Sequence, residues 1–381
     1  MYRSSSRVIP SPTVIGVMKT FCYRTNSNSG GQRCERSRSM PDKRSPAAPD
    51  ESRVTLVQVA KLAGVSPTTV SHVLSGKRWV AEATRETVRN VIRELGYRPN
   101  NVARSLRTRR SRMVAVVVPD ITNSFYAVLT RGLADAVDAA GYGTYVCNTD
   151  AIPEREEAFL ADVLDRGVDG VVMASGPTDA RARSGSPAPG VPAVCIGGSH
   201  DDAPRLDLVT PDDTVGSHAA VTHLIRRGAR RIAMIEGPLP SGSAREDGYR
   251  QALTEHGISV DPDLMVRGDW TRPGGHAAMH QLLTLPERPD AVFCANDLAA
   301  IGAIDAAHEQ RLVVPDDVAV VGFDDVDAAT IVNPPLTTVR NPAYDIGRTA
   351  GELLLSRMDG SYDGDGRTVV LPCPLIVRGS A

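Results

Sequence analysis

The side chains that could do chemistry here do not assemble into a catalytic pattern. Acidic pairs stand at Asp212-Asp213, Asp316-Asp317 and Asp324-Asp325. Paired carboxylates can serve a hydrolase as acid and base, but in this setting they read as helix caps, turns and acceptors for ligand hydroxyls. His276 and His280 have the i, i+4 spacing that can seat a metal, yet no third ligand lies nearby and they read as surface histidines. The six cysteines, Cys22, Cys34, Cys147, Cys195, Cys294 and Cys373, contain no C-x-x-C pair. Neither a zinc site nor a redox motif is indicated, and several of them fall inside apolar runs. That usage fits a reducing cytoplasm better than a disulfide framework. G-x-S-x-G, H-E-x-x-H, P-loop and G-x-G-x-x-G patterns are absent. The chain therefore reads as a non-enzyme, with no metal and no cofactor.

A second group of residues points to binding. Phe125, Tyr126, Arg245, Trp270, Asn296 and Asp324 follow apolar strand-like runs or begin helical ones. Ligands of doubly wound sheets sit at such strand ends. An aromatic face can stack on the CH face of a sugar, while Asp, Asn and Arg exchange hydrogen bonds with its hydroxyls. A purine sandwiched between Trp270 and Phe125 is the alternative. Plainer roles also exist: Phe125 as core, Arg245 as partner of a nearby acid, Asp297 as a helix N-cap.

The elements that would position these residues form two patterns. Runs at Val114–Val118, Thr144–Cys147, Gly170–Met173, Ala193–Ile196, Ile232–Ile235, Ala291–Cys294 and Val318–Val321 read as buried strands. Helical segments at Phe125–Ala140, Glu154–Arg166, Asp213–Arg227, Arg245–His256 and Leu298–Gln310 alternate with them. Strand–helix alternation implies parallel sheets covered on both faces, and the length suggests two sheets with a cleft between them. Ahead of them, Leu56, Val59, Ala60 and Ala63 mark a short helix that Thr55 can cap and Gly64 can end. Ser66 caps a second helix with Pro67 first, and Val70, Val73 and Leu74 form its buried side. Val88, Val91, Ile92 and Leu95 stripe a third, which Gly96 stops. Three such helices with a tight first turn make a helix-turn-helix unit. The fold class is thus α/β, two doubly wound parallel-sheet subdomains behind an all-α headpiece.

Charge divides along the same line. Residues 54–112 carry twelve Lys/Arg against three Asp/Glu, although the whole chain has a net charge of −2. A basic front end on an acidic body suggests a nucleic-acid partner. Residues 1–53 are rich in Ser, Arg and Pro and read as a disordered basic extension. Pro10 and Pro12 break the only signal-like stretch, and no apolar run approaches the ~20 residues of a membrane span. The expected location is cytoplasmic, on the nucleoid.

Within Val54–Arg110, the runs TVSHVL, ELGYRPN and ARSL occur in an order and spacing that resemble the LacI/GalR family of repressors. RRGARRIAMIEGP, FCANDLAAIGA, VPDDVAVVGFDD and PPLTTVR extend the similarity toward Arg378. The resemblance implies a headpiece at 54–99, a hinge helix and linker at 100–112, and a periplasmic-binding-protein-like core at 113–381. In that core, 113–211 with 342–368 and 212–341 with 369–381 form the two halves. It implies a homodimer on double-stranded operator DNA, controlled by a small-molecule effector, most simply a sugar. A freestanding sugar-binding protein is the rival outside the class.

In a helix-turn-helix, the N-terminal side chains of the second helix meet base edges. Thr68, Thr69 and His72 hold those positions, with Ser71 nearer the phosphates. The resemblance places base contacts on Thr68, His72 and Arg78. Pro67 departs from relatives that carry a hydrogen-bonding side chain there. Trp79 is bulkier than the usual neighbour and is expected to pack under its loop. In the hinge, Asn100 can cap a short helix bearing Ala103, Arg104, Leu106 and Arg107. So short a helix is unstable alone. The resemblance makes Leu106 a wedge in a minor-groove base step. It also carries effector contacts onto Phe125, Arg245, Trp270, Asn296 and Asp324, with Tyr126 beside them.

Overall fold

The computed structural model describes residues 54–76, 78–98, 110–174, 190–197, 206–238 and 243–381. Two compact units part between Arg98 and Pro99. In the first, α1 (Leu56–Leu62), α2 (Pro67–Ser75) and α3 (Glu82–Glu94) surround buried Val59, Ala60, Val70 and Val88. A capping box opens α1. The Thr55 hydroxyl accepts from the Gln58 amide at 3.3 Å, and the Thr55 amide donates to the Gln58 side chain at 2.7 Å. Ser66 caps α2, accepting from the Thr69 amide at 3.1 Å. Between the helices the chain reverses at Gly64, whose φ of +65° suits a residue without Cβ. Leu74, expected beside Val70 and Val73 on the buried side, is exposed. The hinge residues Asn100, Ala103, Arg104, Leu106 and Arg107 lie outside the described residues.

The second unit contains two six-stranded sheets. The first has β1 (Met113–Val118), β2 (Gly143–Asn148), β3 (Gly170–Met173), β4 (Ala193–Ile196), β5 (Asp207–Pro211) and β11 (Thr368–Leu371). Their order is β11-β5-β4-β3-β1-β2, parallel throughout. The pleat sorts β1 onto two faces. Val114, Val116 and Val118 pack under α4 (Ser124–Ala139) and α11 (Ala343–Met358); Ala115 and Val117 pack under α5 (Pro153–Asp165).

The second sheet has β6 (Ile232–Glu236), β7 (Met265–Arg267), β8 (Ala291–Cys294), β9 (Ala319–Asp324), β10 (Thr337–Arg340) and β12 (Leu375–Ile376). Their order is β12-β10-β9-β8-β6-β7, and only β12 runs antiparallel. The helices α6 (Asp213–Arg226) and α7 (Ser243–Glu255) cover one face, α8 (Arg272–Leu283) and α9 (Asp297–Glu309) the other. A short α10 (Ala328–Ile331) follows β9.

Helix pairs on the sheets touch backbone to backbone. A Cβ on Gly347 of α11 would stand 1.9 Å from the Leu129 carbonyl oxygen of α4, and one on Gly302 of α9 would stand 2.0 Å from that of Arg272. Only hydrogen fits there, so α11 and α9 lie closer to their neighbours than side chains would allow.

The chain passes between the two sheets three times: after β5, after β10 and after β11. Because β11 stays paired with β5 through Leu371, the last passage falls at 372–374, a little later than the expected junction at 368–369. That edge is fastened by Asp207, whose side chain is fully buried. It accepts from Arg357 at 2.8 Å and Arg367 at 2.6 Å, and both guanidiniums flank the Tyr362 ring. Burial alone would raise the Asp207 carboxyl, but the bonds from Arg357 and Arg367 outweigh it and hold it at about 2. Asp207→Ala leaves two half-buried cations unpaired and is expected to cost ~3–5 kcal/mol in urea unfolding. Because the folded value is depressed, the wild-type advantage is complete above pH ~4 and fades as pH falls toward ~2. A variant whose deficit is the same at pH 7 and pH 2.5 would contradict this assignment.

Candidate functional site

Arg245, on the first turns of α7, is 8% exposed. Its guanidinium lies 3.3 Å from Asp213 and 3.4 Å from Asp324, over the Phe323 ring at 3.8 Å and near the Trp270 ring at 5.5 Å. It also donates to the Ala295 carbonyl. Burial works against its charge, but Asp213 and Asp324 outweigh burial and keep it protonated. The acids respond in kind. Burial raises Asp213 and lifts Asp324 to about 6, with Arg245 opposing both shifts. The plainer role considered for Arg245, pairing with a nearby acid, is thus observed twice over.

The backbone is bent to make this cluster. Asp324 has φ 113°, Asp325 φ 56° and Trp270 φ 68°, all in the region that favours glycine. Holding such residues there costs roughly 1–3 kcal/mol each and is concentrated at functional sites. Asp325 turns away to Arg340 at 2.8 Å and Arg378 at 2.5 Å. The Trp270 indole lies across Gly237, where a Cβ would meet the ring at 2.1 Å.

Two cluster members are not among the effector contacts carried over from the resemblance. Asp213 begins α6, directly after the first passage between the sheets. Asn341 lies in the second passage; its side-chain amide donates to Asp324 at 3.2 Å and its backbone amide to the Asp324 carbonyl at 3.3 Å. The Asp213 Oδ1 and Asn341 Oδ1 atoms are buried without a protein partner. From the first sheet's side comes Tyr126 on α4, whose hydroxyl is raised by burial and further by the charge of Asp324. Phe125 meets Tyr126 edge to face, with ring centres 5.1 Å apart and planes at 83°. The cleft therefore takes Tyr126 from one half and Arg245, Asp324 and Asp213 from the other.

Asn296 takes the N-cap role expected of Asp297. Asn296 is the N-cap of α9, accepting from the Ala299 amide at 2.9 Å and donating to the Trp270 carbonyl at 2.9 Å. Asp297 is not the cap. It is fully buried, accepts from the Val326 amide at 2.8 Å and bonds the Thr338 hydroxyl, and burial raises its carboxyl strongly. His276 bonds Glu309 at 2.9 Å, and no cluster of three metal-ligating side chains occurs among the described residues.

In the first unit, Thr68 and Arg78 are exposed, and Ser71 and His72 are half-buried on α2. The Thr69 hydroxyl is occupied, 2.9 Å from that of Ser66. Trp79 does not pack under its loop: it is 86% exposed.

A helix-turn-helix unit followed by two linked parallel-sheet halves with a polar cleft defines a ligand-responsive DNA-binding regulator. Residues 55–100 match the bacterial regulatory proteins of the lacI family, and residues 221–381 match the periplasmic binding protein-like domain. The chain is 38% identical over 342 residues to the HTH-type transcriptional repressor CytR of Escherichia coli (strain K12), covering 88% of this chain and 98% of that protein. It is 36% identical over 330 residues to the ribose operon repressor of the same organism, covering 86% and 99%. The solved lac repressor dimer bound to operator and the anti-inducer ONPF superposes with a TM-score of 0.77 at 30% identity, covering 86% and 99%. The chain belongs to the LacI family of bacterial transcriptional regulators.

The raised Asp324 carboxyl has a consequence for stability. The folded state holds that proton more tightly than the unfolded chain, so stability declines as pH rises from ~4 to ~6. Asp324→Asn is neutral throughout and should gain roughly 2–3 kcal/mol relative to wild type between pH 4 and pH 7. Urea unfolding of both proteins at the two pH values reads this difference. A constant offset would mean that Asp324 titrates like an exposed carboxyl.

Proposed function

We propose that this chain is a transcriptional repressor that binds a near-palindromic operator as a homodimer and is released from it by a small sugar held in the cleft. The observation that carries the effector class is the buried Arg245–Asp324–Asn341–Asp213 cluster. It offers a fixed donor, two carboxylates and buried oxygen acceptors, Asp213 Oδ1 and Asn341 Oδ1, within one small region. That set matches the paired donors and acceptors of vicinal hydroxyls. Phe125, Tyr126, Trp270 and Asn296 complete the proposed effector site, with an aromatic face for the sugar ring. A purine held between Trp270 and Phe125 ranks second, because the carboxylates and amide of the cluster match sugar hydroxyls more fully than a flat ring.

On the DNA side, Thr68, His72 and Arg78 would read bases, with Thr69 and Ser71 near the backbone. Ala103, Leu106, Arg104 and Arg107 of the hinge would enter or line the minor groove. The working division is a headpiece at 54–99, a hinge at 100–112 and a core beyond it. Two features support a dimer: Tyr145 and Val146 are exposed on β2, the edge of the first sheet, and Ile331 of α10 is 79% exposed. Apolar side chains so placed suit contact with a second copy. The proposed place of action is the bacterial cytoplasm.

Two tests follow. Operator recovered by selecting genomic fragments should bind less tightly to His72→Ala by roughly 1–3 kcal/mol, while random duplex binds both proteins alike. An equal loss on both DNAs would make His72 a backbone contact. Next, sugars and nucleobases are titrated against Trp270 fluorescence and then against operator affinity. One sugar class should saturate the signal and weaken operator binding in wild type, with no response in Asp324→Asn. Tight nucleobase binding with silence toward every sugar would move the effector to the purine class.

A further inference from the structure

We infer that Trp79 is a DNA contact, its indole lying on the sugar–phosphate backbone beside the bases that α2 reads. The inference rests on the DNA-reading role proposed for α2 and adds a residue to it. Gly76 ends α2 in the left-handed conformation, and the chain then runs through Arg78 and Trp79 to α3. That segment is held where it meets α3, since Arg85 donates to the Val80 carbonyl at 3.5 Å and pairs with Glu82 at 2.8 Å. From this segment an indole projects with 86% of its surface exposed, outside the cluster of Val59, Ala60, Val70 and Val88.

A large ring left in water on a small basic unit calls for a partner, and the local charge selects which. Arg78, the residue before Trp79, is exposed. Across residues 54–98, seven Lys/Arg face three Asp/Glu, which disfavours a basic or neutral apolar protein surface and favours a polyanion. Indole carries one N–H donor, no acceptor and a broad apolar face. Phosphate oxygens accept without donating, and deoxyribose presents CH groups, so the two surfaces are complementary. Base edges are a poorer match, because they demand a pattern of donors and acceptors that a single N–H cannot read. Position is compatible: the N-terminal end of the second helix enters the groove, and Trp79 follows its C-terminal end.

The chain has two tryptophans, Trp79 and Trp270, so the difference in emission between wild type and Trp79→Phe isolates Trp79. The probe is a random-sequence duplex at low salt, because a backbone contact does not depend on sequence. Duplex should blue-shift the Trp79 component and shield it from acrylamide. Trp79→Ala should weaken duplex binding roughly ten- to hundred-fold, with Trp79→Phe recovering most of the loss. Circular dichroism should show both variants folded, since the side chain contributes little to the core. Unchanged Trp79 emission on a duplex that binds, with full affinity in Trp79→Ala, would overturn this inference and leave the DNA-reading role of α2 standing. Absence of any duplex binding by wild type would overturn both. A shift that tracks protein concentration without DNA would assign the indole to a second copy of the chain instead.

Discussion

A guanidinium taken out of water has to be neutralised where it lies, and much of the core is arranged around that requirement at Arg245. One carboxylate comes from Asp213, at the start of α6, immediately after the first passage between the sheets. The other comes from Asp324, at the end of β9, in a conformation with φ 113° that no ordinary strand residue takes. Phe323, the residue before it, puts its ring under the cation. Replacing such a charged set by apolar side chains of similar volume commonly costs no stability. Its presence, together with three residues in the glycine-favouring region, therefore points away from stability and toward binding.

The sheets and helices were largely legible from sequence, because strands buried on both faces read as continuous Val, Ile and Ala runs. Val114–Val118 and Ala291–Cys294 are examples. What escaped was structure without an apolar signature. β7 is three residues long, and Thr337–Arg340 places only one large aliphatic residue, Val339, in a sheet interior. The contacts of α11 with α4 depend on Gly132 and Gly347, and a glycine among helical residues signals a turn as readily as a close approach. In the first unit, periodicity placed Leu74 with Val70 and Val73, but three short helices do not enclose a full helical face.

The site was legible as a set of residue types and illegible as a set of bonds. Arg245, Trp270, Tyr126 and Asp324 converge, yet Asn341 carried no signal, since an Asn before a Pro reads as a turn. Asn296 and Asp297 show a second limit. Asn and Asp cap helices about equally well, so two in succession leave the cap undetermined by one residue. Here a one-residue shift separates a side chain shared with the Trp270 carbonyl from one sealed beneath β9. Trp79 failed for a different reason: residue type favours burial, whereas the ring stands outside the three-helix cluster and in solvent.

Ligand control requires that the effector distinguish two states of the protein, since equal affinity for both shifts nothing. The location of the cluster supplies such a distinction. Asp213 and Asn341 stand at two of the three segments where the chain changes sheets, and each is tied through Arg245 or Asp324 to the same small region. Tyr126 approaches that region from the other half. A change in the relative angle of the halves turns the backbone at these segments and moves Tyr126, on the first half, relative to the buried guanidinium and carboxylates of the second. In a low-dielectric setting even small displacements of such groups carry large energies. A ligand that bonds Asp324 and Arg245 and also meets Tyr126 thus favours one angle over the other through the same atoms that hold it.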